Sequence, residues 1–67
     1  MTAAQFEQLG AIEAENVLRW RFEELVRVGY DAGEAMILAS HVEVDLHHAA
    51  EIVTRGCPPA TAMRILL

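Results

Sequence analysis

The chain has 67 residues, 54% of them hydrophobic, and a formal net charge of −5. A domain this short hides only about 60% of the surface that its unfolded chain exposes. Part of so apolar a sequence is therefore expected to meet a partner, most economically a second copy of itself as a homodimer. Its cations, Arg19, Arg21, Arg27, Arg55 and Arg64, are dispersed and outnumbered by ten carboxylates, which argues against nucleic acid and anionic membranes as partners. No apolar run approaches the roughly 18 residues of a membrane span. The opening Met1-Thr2-Ala3-Ala4-Gln5 lacks the basic-then-apolar pattern of a secretory leader, and the single cysteine, Cys57, forms no disulfide framework. A cytoplasmic, membrane-free protein is expected.

Thr2 caps a first helix, with Gln5 three residues on to complete a capping box. Residues 3 to 28 contain no proline and read as one long helix, in which Gly10 is the weak point at about 1 kcal/mol relative to alanine. Phe6, Leu9 and Ile12 form one apolar stripe; Leu18, Phe22 and Leu25 form a firmer second one, with polar residues 13 to 16 between. Residues 1 to 15 are thus expected either to fray or to form an interface. Gly29 stops the helix. Asp31, with Glu34 as reciprocal partner, opens a second helix whose apolar side is Ala35, Met36, Leu38 and Ala39. His41 to Val44 reads as an extended connector. Asp45 caps a third helix that carries Leu46, Ala49, Ala50, Ile52 and Val53, and Gly56 ends it. Pro58-Pro59 is pre-organised to start a fourth, with Ala62, Met63, Ile65, Leu66 and Leu67 as its apolar residues. The last three are expected to bury against the first helix or a neighbouring subunit.

The last third of the chain repeats its middle. At an offset of 27, Glu24/Glu51, Val26/Val53, Gly29/Gly56, Ala35/Ala62 and Met36/Met63 are identical, and Leu25/Ile52 and Leu38/Ile65 exchange one aliphatic for another. Each copy is a helix end, a glycine stop, a turn and a new helix. The expectation is a single all-α domain over 1–67. It has four helices, one long N-terminal and three short, arranged as two repeated helix-Gly-turn-helix hairpins, with Met36 and Met63 as core filler.

Val28-Gly29-Tyr30, followed by helices at 31–40 and 45–55, resembles the ubiquitin-associated (UBA-like) three-helix fold over roughly residues 22–55. That resemblance implies a small apolar docking patch at Gly29, Tyr30 and the region of Ile52 and Val53. The long first helix and the Gly56-Cys57-Pro58-Pro59 hairpin depart from the family's plan. The whole chain also resembles small helical proteins of actinobacteria, a likeness that implies no mechanism.

His41, Glu43, Asp45, His47 and His48 are the densest set of metal-ligand types, and His41, Asp45 and His48 are the candidates for holding a divalent ion. The plainer reading makes Asp45 a helix cap and the histidines surface residues near a turn. No nucleophile, glycine-rich loop or oxyanion arrangement accompanies them, so no catalytic residue and no cofactor are assigned. Cys57 lies near a helix N-terminus, where thiols become reactive. It also matches Tyr30 in the repeat, which favours packing. Trp20, between Arg19 and Arg21, is out of phase with Leu18, Phe22 and Leu25; it either packs on the fourth helix or anchors a partner. The function expected is a small non-catalytic protein–protein interaction module that self-associates through its first helix, with Phe6, Trp20, Gly29 and Tyr30 as contact residues. A His/carboxylate metal-binding or sensing protein is the alternative.

Overall fold

Short polar caps and two left-handed glycines divide the chain into its helices, as a computed structural model describing all 67 residues shows: α1 (Ala3–Glu7), α2 (Ala11–Val28), α3 (Ala32–Ser40), α4 (Leu46–Thr54) and α5 (Pro59–Leu66). The four-helix expectation is corrected. There are five helices, and the longest is the second, because the stretch read as one N-terminal helix is two. Gly10 is extended (φ −67°, ψ 163°) and serves as the N-cap of α2. Its carbonyl accepts the first α2 bond from Ala14 N–H at 2.9 Å, and Glu13 places an acid in the first turn, on the favourable end of the helix dipole. α1 is held by the Thr2–Gln5 capping box and buries no residue. Nothing tertiary therefore offsets the cost of a helical glycine at position 10.

The remaining boundaries follow from local chemistry. Asp31 Oδ1 accepts from Glu34 N–H at 2.7 Å while Glu34 Oε1 accepts from Asp31 N–H at 3.0 Å. Asp45 Oδ1 accepts from His47 N–H at 2.9 Å. Pro59 fills the first position of α5, where its missing N–H costs nothing.

The two repeat copies close with the same turn. Gly29 (φ 129°) and Gly56 (φ 106°) follow α2 and α4. Tyr30 N–H donates to Leu25 O and Gly29 N–H to Val26 O; in the second copy Cys57 N–H donates to Ile52 O and Gly56 N–H to Val53 O, all at 3.0–3.1 Å. Both are Schellman closures. A Cβ at Gly29 would meet Val53 Cγ1 at 3.5 Å, an ordinary contact, and one at Gly56 would meet nothing. Gly29→Ala and Gly56→Ala are therefore expected to cost nearly the same, about 1 kcal/mol each, from backbone strain alone. Urea midpoints of the two variants check this; a Gly29 cost several times larger would mean that packing against Val53 dominates.

The repeat conserves the turn but only part of the buried face. α3 buries Ala35, Leu38 and Ala39, whereas α5 buries Ala62 and half-buries Met63 and Leu66. Positions 35/62 and 39/66 thus face inward in both helices, and the difference is at the third inner position, Leu38 in α3 but Met63 rather than Ile65 in α5. Met63 packs against the core, but Met36 is 64% exposed, correcting its assignment as core filler. Of the terminal aliphatics only Leu66 packs on the core; Ile65 and Leu67 are exposed.

The core lies where α2 crosses α3 and α4, with α5 closing it against α3 and α4. Leu25, Leu38 and Tyr30 supply its bulk, and Ala35, Ala39, Ala49 and Ala62 let the backbones approach. Tyr30 O–H donates to Ala49 O at 2.8 Å, tying the α2–α3 turn to α4. Burial, with smaller contributions from Cys57 and Glu34, pushes the phenol above its ordinary pKa of about 10. The neutral phenol is thus favoured in the fold. Its stabilisation is complete below about pH 10 and is lost as the pH rises through the folded value. Tyr30 is the chain's one tyrosine, so tyrosinate absorbance reads this group alone. We expect it to appear together with loss of helical signal in alkali; tyrosinate forming near pH 10 with the helices intact would contradict this. Tyr30→Phe should cost about 1 kcal/mol, the net worth of one buried hydrogen bond.

Candidate interaction surface

α2 spends its apolar residues on two faces. Leu25 is buried and Phe22 and Val28 are half-buried against the core, but upstream of Arg21 no α2 residue is buried. There only Ala14, Val17 and Leu18 are half-buried, and the fold as a whole is elongated, with extents of 36 × 18 × 16 Å. On this stretch of α2 Ile12 is 76% exposed and Trp20 55%.

Between α2 and α3 lies an apolar groove of about 430 Å³, floored by Leu18, Phe22 and Ala39 and walled by Met36 and Ile37. Glu15 and Arg19 stand on its α2 rim, paired with each other at 3.1 Å. The outer face of α3 carries no charge beyond Glu34 until Glu43 in the connector. A second, smaller groove of about 290 Å³ brings Trp20 beside Val17, Met1 and Leu46. Trp20 therefore faces away from α5 and sits at the surface, which settles the choice between core and solvent.

The other residues singled out by sequence fall in different places. Phe6 is half-buried on α1, a helix with no buried residue, and Gly29 is exposed at its turn. Tyr30 is 2% exposed, so its ring belongs to the interior and is not accessible to a docking partner. Cys57 is half-buried against the core, with Sγ 3.6 Å from Pro58 O.

His41, Glu43, Asp45 and His48 do line one groove, of about 380 Å³, against the end of α5. The connector behind them is a turn rather than a strand, closed by Val44 N–H to His41 O at 2.9 Å, with Val42 and Val44 buried beneath it. No three of the chain's His, Cys, Asp and Glu side chains are placed to hold a metal ion. Asp45 Oδ1 is occupied as a cap, and His41 Nδ1 lies 2.7 Å from its own helix at Ile37 O.

Arg21 is the residue that sequence reading places least well. It is 4% exposed, and its guanidinium donates to four main-chain oxygens: Nε to Ala39 O at 3.2 Å, and Nη2 to Leu38 O, His41 O and Val44 O at 3.3, 3.1 and 2.9 Å. These are carbonyls at the C-terminal end of α3 and in the connector; Leu38 O also accepts from His41 N–H and His41 O from Val44 N–H, whereas Ala39 O and Val44 O have the guanidinium as their donor. Burial pushes the guanidinium pKa down, while Glu43 and Asp45 pull it up. The sequence signal is its phase, since Arg21 falls at i+3 from Leu18 and i−4 from Leu25, within the apolar stripe.

Models of known families, curated proteins and solved structures were compared with the chain, and none matches it. No helix is long and apolar enough to cross a membrane.

Proposed function

We propose that this chain is a small, non-catalytic protein–protein interaction module of the cytoplasm that self-associates through α2, its longest helix. The observation that carries the reading is that α2 buries no residue before Arg21, yet presents Ile12 and Trp20 to solvent. An 18-residue helix packed over only part of its length keeps exposed apolar surface that a partner helix removes from water. With ten residues buried out of 67, association also adds apolar burial where the monomer has little. A UBA-like use of the Gly29–Tyr30 turn is less well supported, because the Tyr30 ring is interior.

Sedimentation equilibrium over a wide concentration range, with and without chelator, tests the proposal. A dimer mass that falls on dilution and ignores chelator is expected. A monomer at every concentration would sink the reading. A melting temperature raised by zinc or nickel would favour the metal-binding alternative built on His41, Asp45 and His48.

A further inference from the structure

We infer that the α2–α3 groove receives Ile12 of a second copy, in an antiparallel pairing of the two α2 helices about a two-fold axis midway between Glu15 and Arg19. This rests on the self-association proposed above and names its surface.

Three observations lead to it. Ile12, Glu15, Arg19 and Phe22 lie at helical spacing on one face of α2, the face that borders the groove. Under an antiparallel two-fold, residues whose numbers share one sum face each other. The axis that sets Glu15 against the partner's Arg19 also sets Ile12 against the partner's Phe22, because both pairs add to the same value. One axis thus converts the rim pair within each copy into two pairs between copies. It also delivers the most exposed large aliphatic of the chain, at 76%, into an apolar groove of about 430 Å³ walled by Met36 and Ile37.

Charge supports a second copy as the occupant. The groove rim holds one carboxylate and one guanidinium, Glu15 and Arg19, so the surface outside it carries the whole net charge of −5. Two identical acidic chains repel over most orientations, and this neutral, self-complementary face is one on which they can meet. The interface is isologous, so each contact occurs twice.

Charge reversal provides the test, read by sedimentation equilibrium with helicity checked by circular dichroism. Glu15→Arg alone sets two guanidinium groups against each other across the axis, and Arg19→Glu alone sets two carboxylates together. Each variant is expected to weaken dimerisation about tenfold or more. An equimolar mixture of the two should restore it as a heterodimer, since each unlike pair then meets its opposite. Ile12→Glu, at an exposed first-turn position that tolerates an acid, should raise the dissociation constant roughly a hundredfold, the loss being counted twice per dimer. A wild-type dimer that survives Ile12→Glu and shows no heterodimer preference, but dissociates with Trp20→Ala, overturns this placement and leaves self-association standing. A monomeric wild type removes both.

Discussion

Replacing Arg21 with Met is expected to cost about 3 kcal/mol, because methionine fills the space but leaves the buried Ala39 and Val44 carbonyls without a donor. A domain of this size has only about 5 kcal/mol of stability, so Arg21→Met should keep about 2 kcal/mol, with a few per cent of it unfolded at ambient temperature and its urea midpoint well below the parent's. The guanidinium reaches Leu38, Ala39, His41 and Val44 at once because its donors form a planar fork. Arg21→Lys keeps the charge, which still favours the C-terminal end of α3, but brings its donors to a single point. It should recover less than half of the loss. Urea unfolding followed by circular dichroism gives both values, and native-state hydrogen exchange should show the His41–Val44 turn loosening before α2. If Arg21→Met stays within about 0.5 kcal/mol of the parent, water must replace the guanidinium at those carbonyls, and the clamp would be dispensable. Glu43→Gln is the control. Glu43 is exposed and acts on Arg21 only through its charge, so its removal should change stability little.

The sequence was most legible where structure is set by neighbours in the chain. Thr2 with Gln5, Asp31 with Glu34, Asp45, and the glycines at 29 and 56 all act through bonds that span a few residues, and each is found in the role its spacing indicates. Gly10 was misplaced because a glycine inside a proline-free, helix-forming stretch can be either a costly interior residue or a start. The deciding fact is tertiary: α1 buries nothing that could repay a continuous helix. Arg21 was hidden by the habit of reading charge as exposure; only its phase between Leu18 and Leu25 marks it. Met36 escapes the 27-residue repeat because the repeat carries the glycine closure and the inner positions 35/62 and 39/66, but not the third inner position, which is Leu38 in α3 and Met63 in α5. The groove itself was not legible at all. It is made by Phe22 and Leu18 from one helix and Met36 and Ile37 from another, and no local pattern states which faces of two helices remain uncovered.

Three consecutive α3 positions turn that last point into a measurement. Leu38 is fully buried, Ile37 is 47% exposed and Met36 is 64% exposed. Leu38→Ala removes side-chain volume from a core of eight residues and should cost about 3 kcal/mol, combining lost burial with the cavity left behind. Its backbone carbonyl still accepts from Arg21, so the loss is one of packing and should leave the clamp in place. Met36→Ala and Ile37→Ala truncate comparable side chains two residues and one residue away. In dilute solution each should cost less than about 0.5 kcal/mol, as surface changes do. If α2 pairs two copies as proposed, the variants also differ in how they respond to concentration. The apparent stability of the parent then rises with concentration by mass action, and Met36→Ala and Ile37→Ala lose that increment, while Leu38→Ala retains it on a lower baseline. Unfolding midpoints of the three variants at low and high concentration separate the two kinds of burial. Parallel concentration dependence in all three would place the self-associating surface somewhere other than the outer face of α3. A cost at Met36 comparable to that at Leu38 in dilute solution would show that α3 is packed on both sides within one copy.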